Sequence, residues 1–212
     1  VGRVRQGQTA AGEGDVIATA HAETGNLSQA YATLDTTIRL HPQNLDIYED
    51  AIGIALKAKA PAQALNYRQK SVTNNPANPA LRYRLVLFQL EQSKPAEAIT
   101  NCKTILGTSP KFLDAANLLS RILSTHPNEK IRSPQESFAL ASRLCQISKN
   151  KNANHLPTLA CAQANLGNFE DATKTLNLLT NVAPPDSPFT KSIQAALQKT
   201  KNNQPIRNPN WK

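Results

Sequence analysis

Apolar residues recur along the chain at the three- and four-residue spacing of amphipathic helices, and polar or proline-containing segments separate them. The helix expected over residues 113–124 shows this best, since its apolar residues share one face: Phe112, Ala115, Ala116, Leu119, Ile122 and Leu123. Further helix starts are expected where serine shortly precedes proline: Ser93-Lys-Pro95, Ser133-Pro134 and Ser187-Pro188. No long stretch alternates apolar and polar residues as a strand would. The pattern predicts an all-α chain.

The helical segments repeat with a fixed period. Three prolines lie 34 residues apart: Pro42, Pro76 and Pro110. Each follows an alanine by twelve residues: Ala30, Ala64 and Ala98. A small residue lets two helices approach closely, and proline ends a helix because it lacks a backbone donor and clashes with the preceding turn. The period therefore predicts a series of helical hairpins.

These alanines and prolines, together with Gly167-Asn-Phe169-Glu-Asp-Ala172 and Pro184, resemble the tetratricopeptide repeat over about residues 11–186. The resemblance implies a tetratricopeptide-type α-solenoid, a right-handed superhelix of about five helical hairpins with a C-terminal capping helix. We expect residues 1–10 to be a flexible linker and residues 11–199 to form the solenoid domain. Within it, residues 113–152 are an irregular fourth repeat and residues 187–199 the capping helix. Residues 200–212 are expected to be a polar tail.

The fourth repeat is irregular because its central turn is too long. Residues 125–132 form a polar loop about five residues longer than the period allows. Ser133-Pro134-Gln135-Glu136 follows and predicts a helix start with a capping box, in which Ser133 and Glu136 would satisfy the first backbone N–H groups.

The 212-residue chain carries a formal net charge of +9. Part of the excess lies between residues 55 and 84, which contain no acidic residue. The candidate basic surface there consists of Lys57, Lys59, Lys70, Arg82 and Arg84. Such a surface keeps a protein soluble, and it can also attract nucleic acid or an anionic membrane. Aromatic residues are not interleaved with the basic ones as in stacking sites, so we do not expect nucleic acid as the partner.

Side chains capable of catalysis or metal binding do not form a known motif. Cys102, Cys145 and Cys161 have no close metal or redox spacing, and we interpret them as core residues. Cys161 is the candidate for reactivity, because its repeat position faces the groove in the family. No phosphate loop or nucleophile elbow is present. We therefore predict that the chain is not an enzyme and uses neither cofactor nor metal.

The resemblance implies a concave groove lined by the first helix of each hairpin. On this basis seven residues are candidate contacts with a protein or peptide partner: Glu49, Tyr83, Leu87, Leu90, Asn117, Arg121 and Asn165. The lysine and asparagine clamp with which some members hold a C-terminal carboxylate is absent, since Asp15 and Glu49 stand at two of its positions. We therefore expect a non-catalytic scaffold that binds an apolar, partly polar segment.

A second resemblance concerns the C-terminal half. Ser133-Pro-Gln-Glu136, Arg143-Leu-Cys145, Leu166-Gly-Asn-Phe169 and Pro205-Ile-Arg207 follow in an order similar to repeat modules appended to some bacterial membrane-anchored proteins, including glycosyltransferases of the dolichyl-phosphate-mannose type. The alternative function is thus a soluble accessory module of a larger membrane protein. No apolar run reaches the roughly 18 residues of a membrane span. Because the sequence starts at Val1 and contains no methionine, we expect a processed form or an excised domain. Compartment, cytoplasmic or periplasmic, and oligomeric state stay open.

Overall fold

The computed structural model describes residues 2–149, 154–180 and 187–207; of residues 2–11 it describes the backbone alone. Within these residues the chain forms eleven α-helices and no β-strand. The helices are α1 (Gly2–Glu23), α2 (Leu27–Leu40), α3 (Leu45–Lys57), α4 (Pro61–Asn74), α5 (Pro79–Glu91), α6 (Pro95–Thr108), α7 (Leu113–Thr125), α8 (Pro134–Ile147), α9 (Leu156–Asn165), α10 (Phe169–Thr180) and α11 (Pro188–Lys201). A short 3₁₀ helix, Glu129–Ile131, lies between α7 and α8. The predicted all-α fold class is confirmed.

The 34-residue period of the sequence is also the period of the helices. The second helices α2, α4 and α6 begin 34 residues apart, and so do the first helices α3, α5 and α7. Helices α2, α4 and α6 end two residues before Pro42, Pro76 and Pro110, as proline requires. Pro184, which marks the last repeat, falls outside the described residues.

Small side chains mark the contact between the two helices of a hairpin. Alanine stands at repeat position 20 in four repeats, and each of these residues is fully buried: Ala30, Ala64, Ala98 and Ala172. In the irregular fourth repeat the equivalent contact is made by two buried serines. Ser120 Oγ donates to the Ser137 carbonyl and Ser137 Oγ donates to the Ser120 carbonyl, each over 2.8 Å. Each buried hydroxyl is therefore satisfied by a hydrogen bond to the backbone of the other serine.

The chain divides into two compact units, with the boundary between Ser93 and Lys94. It therefore falls inside the third repeat, between α5 and α6, whereas the sequence suggested one undivided domain over residues 11–199. The core of the first unit includes Leu34, Ile47 and Tyr48. The core of the second includes Leu176, Ile193 and Ile206.

Both ends of the chain differ from expectation. Residues 2–10, expected as a flexible linker, lie within α1, and no proline interrupts the sequence before Glu23. At the other end α11 extends to Lys201, two residues past the expected end of the capping helix. The tail beyond it contains a buried residue, Ile206, which is 2% exposed.

The helix start at Pro134 is confirmed, but the predicted capping box is wrong. The Ser133 side chain makes no capping hydrogen bond. Glu136 instead forms an ion pair with Lys103 of α6, at 2.9 Å between Nζ and Oε1. The carboxylate that would complete the box is therefore directed to a neighbouring helix. The start at Ser187 is capped as expected, since its Oγ accepts from the Thr190 N–H.

A left-handed residue follows the first helix of four repeats, always at repeat position 15. Gly25 and Gly167 occupy it with φ of 82° and 84°. In the second and third repeats the position is filled by Lys59 and Ser93, with φ of 55° and 56°. A residue with a Cβ is strained there, whereas glycine is not. The turn therefore has the same backbone geometry in all four repeats, including the two that have no glycine at this position.

Replacing Lys59 with glycine should stabilise the protein. The change relieves the left-handed strain at the turn, which outweighs the added freedom of the unfolded chain. We expect a gain of about 1 kcal/mol, or a rise in melting temperature of about 2–4 °C. Ala58→Gly is the matched control, because Ala58 has φ of −75° and gains nothing from glycine. A Lys59→Gly protein that melts no higher than the control would contradict the strain at this turn.

Candidate protein-binding surfaces

The first-helix surface of the first unit carries two exposed leucines. Leu56 of α3 is 44% exposed and Leu87 of α5 is 41% exposed, while Tyr83 and Leu90 of α5 are half-buried. An ion pair between Arg84 Nη1 and Glu49 Oε1, at 2.6 Å, joins α5 to α3. Four of the predicted partner contacts, Glu49, Tyr83, Leu87 and Leu90, therefore belong to one pair of first helices.

Acidic side chains also occupy this part of the first unit. The pKa of Asp15 in α1 is raised, first by partial burial and then by the charges of Asp50 and Asp46. The pKa of Asp50 is raised by partial burial and then by Asp46 and Glu49. Each carboxyl thus lies in the negative field of the others. The region favours a neutral or cationic group over an anion.

Two of the five residues predicted as a basic surface, Lys70 and Arg84, are paired with acidic residues in the folded chain. Lys70 Nζ lies 2.8 Å from Asp35 Oδ1 and also faces the Tyr67 ring, and Arg84 is paired with Glu49. Both acids stand 35 residues earlier in the sequence, so the preceding repeat supplies them. Lys57 and Lys59 are exposed and Arg82 is half-buried. The run that looks one-signed in sequence is therefore mixed in charge at its surface.

In the second unit, two predicted groove residues have different environments. Asn117 of α7 is half-buried, and its Oδ1 accepts from Thr158 Oγ1 of α9 over 2.9 Å. Arg121, one turn further along α7, is exposed. Asn117 thus joins two first helices, and Arg121 remains accessible to a partner.

Asn165, also predicted as a partner contact, binds the chain itself. Its side-chain Nδ2 donates to the carbonyl oxygens of Ser124, Cys161 and Ile206, at 2.7, 2.8 and 3.2 Å. The amide thus connects the ends of α7 and α9 with the segment after α11. The sequence predicted that Asn165 contacts a partner, and it did not predict that Ile206 is buried. The only indication of that burial in the sequence is that Ile206 is a lone aliphatic residue in a polar tail.

Thiol chemistry is disfavoured by burial. All three cysteines are buried and reduced, and Cys161, expected to face the groove, is fully inaccessible within the core that contains Ile206. Burial raises the pKa of Cys102 to about 12 and that of Cys145 to about 11. The thiolate, which is the nucleophile, is therefore scarce at neutral pH.

Labelling with iodoacetamide at pH 8 tests this directly. With a pKa of about 12, Cys102 is about one ten-thousandth thiolate at this pH, and burial also blocks the reagent. We expect the native protein to remain unmodified at Cys102 and Cys145 by mass spectrometry while glutathione reacts fully. Unfolding in urea should expose all three thiols. Modification of native Cys102 at the rate of glutathione would contradict the buried environment.

A cavity of about 290 Å³ lies in the first unit, near the ends of α1 and α3. Its walls are Thr19, Ala22, Glu23, Gly25, Leu27, Ile54, Lys57 and Ala58. The volume is at the lower limit of small-molecule sites, which run from about 300 to 1,000 Å³. Among the described residues, no three histidine, cysteine or acidic side chains are grouped as metal ligands. No helix in the described ranges is long and apolar enough to cross a membrane.

Comparison with known proteins identifies the fold. A tetratricopeptide repeat protein from Parabacteroides merdae superposes with a TM-score of 0.65 at 14% identity, covering 92% of this chain and 73% of that one. PilF of Pseudomonas aeruginosa gives 0.59 at 13% identity, covering 93% and 87%. YrrB, a tetratricopeptide repeat protein with an unusual peptide-binding site, gives 0.59 at 17% identity, covering 87% and 88%.

The fold of this chain is therefore that of the tetratricopeptide repeat proteins, as its period indicated. No family model matches the sequence. No curated protein matches it either.

Proposed function

We propose that the chain is a non-catalytic scaffold that holds a segment of a partner protein against the first helices α3 and α5. The observation that supports this most strongly is the pair of exposed leucines, Leu56 and Leu87, at groove positions of adjacent repeats. Exposed apolar side chains on neighbouring helices are typical of surfaces that bind peptides or helices. Tyr83 beside them supplies an aromatic contact of the kind that dominates binding energy.

The fold gives this proposal a precedent. YrrB, which has the same fold, is described by its peptide-binding site. The segment bound here would place an aliphatic side chain against Leu56 and Leu87 and polar groups near Glu49 and Arg84. Asn117 and Arg121 stay predicted contacts, and they belong to the second unit. Asn165 is the weaker candidate because its N–H groups already bind three carbonyls of the chain.

The nucleic-acid and anionic-membrane alternative has less support. Lys70 and Arg84 are paired with Asp35 and Glu49, and helices α1 and α3 carry further carboxylates. Binding to phosphates would have to overcome those carboxylates. The accessory-module alternative rests on sequence resemblance alone, and membrane spans encoded upstream of Val1 would support it.

Site-specific crosslinking tests the proposed surface. A photoreactive benzoylphenylalanine at Leu87 should crosslink the partner in cells that produce the chain, because the residue would lie within the bound interface. The matched control carries the same group at Leu40, which is 65% exposed but lies on the second helix α2. A discrete crosslinked protein from position 87 and none from position 40 is the expected result. Equal products from both positions, or none from position 87, would refute the surface.

A further inference from the structure

The segment after α11 folds back onto the second unit instead of leaving it. Asn203 adopts a left-handed conformation with φ of 53°, and the Gln204 N–H donates to the Lys199 carbonyl over 2.9 Å. This turn directs the chain so that Ile206 enters the core of the second unit, where it is 2% exposed. Residues 204–207, which we call the return segment, thus lie in contact with the first-helix side of the fold through Asn165.

Besides the Gln204 hydrogen bond, the return segment contacts the second unit through one side chain and one backbone carbonyl among the contacts described. One aliphatic side chain, Ile206, enters the core, and one carbonyl, that of Ile206, accepts from Asn165 Nδ2 at 3.2 Å. Pro205 has no N–H to donate. The Oδ1 atom of Asn165 is buried and accepts no hydrogen bond from any described residue. Asn165 Oδ1 therefore remains available as an acceptor next to the return segment.

The last described residue, Arg207, fits its surroundings poorly. Its Nη1 is buried and has no hydrogen-bond partner among the described residues. Burial lowers the pKa of Arg207, and the charge of Arg132 lowers it further, while Glu129 opposes this. Leaving a cationic donor buried and unpaired is unfavourable. A carboxylate in place of the guanidinium would remove both the unpaired donor and the repulsion by Arg132.

The lengthened loop of the fourth repeat supplies Arg132, whose charge acts on Arg207. Arg132 is held in place by donating through Nη1 to the carbonyls of His126 and Pro127, at 2.9 and 2.8 Å. Its side chain is 9% exposed, and its Nη2 pairs with the exposed Glu129. The extra residues that break the 34-residue period thus fix a largely buried arginine beside the return segment.

We propose that this place on the second unit is a docking site for an extended partner segment in which an aliphatic residue precedes a carboxylate, and that the return segment occupies it in the free chain. The aliphatic residue takes the place of Ile206, its carbonyl binds Asn165, and its carboxylate lies beside Arg132. The return segment then acts as a built-in competitor. The net charge of +9 also favours an acidic partner. This site belongs to the second unit, whereas the α3–α5 surface belongs to the first. An experiment can therefore refute one of the two proposals without refuting the other.

The test uses the full chain with Ile206→Ser, which weakens the competitor and leaves the site available. Ile147→Ser is the matched control, since Ile147 is 52% exposed on α8 of the same unit. The probes are two labelled peptides of residues 202–207, one with the native sequence and one with Arg207→Glu. Fluorescence anisotropy should show that the Ile206→Ser chain binds the glutamate peptide about tenfold tighter than the native peptide. The wild-type and control chains should bind it at least about tenfold more weakly than the Ile206→Ser chain does.

Two results would overturn the proposal. One is an Ile206→Ser chain that binds neither peptide better than the wild type, which would make the return segment a fixed part of the fold. The other is equal binding of both peptides, which would refute the carboxylate preference. Should Ile206→Ser fail to fold, Arg207→Glu in the full chain gives the answer. It should raise the melting temperature above that of Arg207→Gln, which removes the charge alone, and an unchanged melting temperature would contradict the proposal.

Discussion

Ala64→Trp is expected to destabilise the protein by about 3 kcal/mol. Ala64 is fully buried at the position where α4 meets the first helices of its unit, and it belongs to the core that includes Leu65 and Tyr67. An indole cannot fit there without pushing the helices apart. The expected fall in melting temperature is about 6–12 °C, measured by calorimetry or circular dichroism.

The matched control for this change is Ala62→Trp. Ala62 lies two residues earlier on α4 and is exposed, so the same side chain can extend into solvent. We expect its stability to stay within about 0.5 kcal/mol of the parent protein. Equal losses from the two variants would mean that position 20 of the repeat is not the close contact between helices.

Leu176→Ala should have a comparable effect in the second unit. Leu176 of α10 is fully buried in the core with Leu179 and Ile193. Its truncation removes apolar contacts and leaves a cavity, at a cost of about 3–4 kcal/mol. The same change at Leu178, which is 50% exposed on the same helix, should cost less than about 0.5 kcal/mol. Urea denaturation of the two variants makes the comparison. Similar midpoints would contradict the assigned face of α10.

The repeat could be predicted because its determinants are local. Proline ends a helix wherever it occurs, and a small residue permits close approach in any hairpin. Pro42, Pro76 and Pro110 with Ala30, Ala64 and Ala98 therefore fixed the helix ends and the buried contacts, and the structure bears out both. The left-handed conformation at position 15 was not predicted, and in two repeats Lys59 and Ser93 give no glycine signal for it.

What could not be predicted depends on partners distant in sequence. Glu136 has the spacing of a capping box, yet its carboxylate pairs with Lys103 of another helix. Lys70 and Arg84 look like an unopposed basic run until Asp35 and Glu49 from the preceding repeat are placed beside them. Ile206 looks like part of a polar tail because its buried environment is formed by residues far from it in the sequence.

The candidate site contains both residues whose environment could be predicted from the sequence and residues whose environment could not. The first-helix positions of Leu87 and Tyr83 follow from the period, and their assignment to the groove face was implied by the family resemblance. Whether such a residue is accessible depends on its neighbours. Leu87 is exposed, whereas Asn165 is engaged by three carbonyls, although the same repeat pattern selected both. The period sets the register and the family resemblance implies the face, but contacts across the fold decide which residues remain available for a partner.

The most direct test of the proposed scaffold function is the affinity of the crosslinked partner for a chain carrying Leu56→Asp and Leu87→Asp together. The proposal predicts binding weaker by at least about tenfold in calorimetry, with an unchanged melting temperature, because both leucines are exposed and contribute little to the core. Leu40→Asp, on the second helix α2, should leave the affinity at the wild-type value. An unchanged affinity in the double variant would contradict the proposal that the partner binds against α3 and α5.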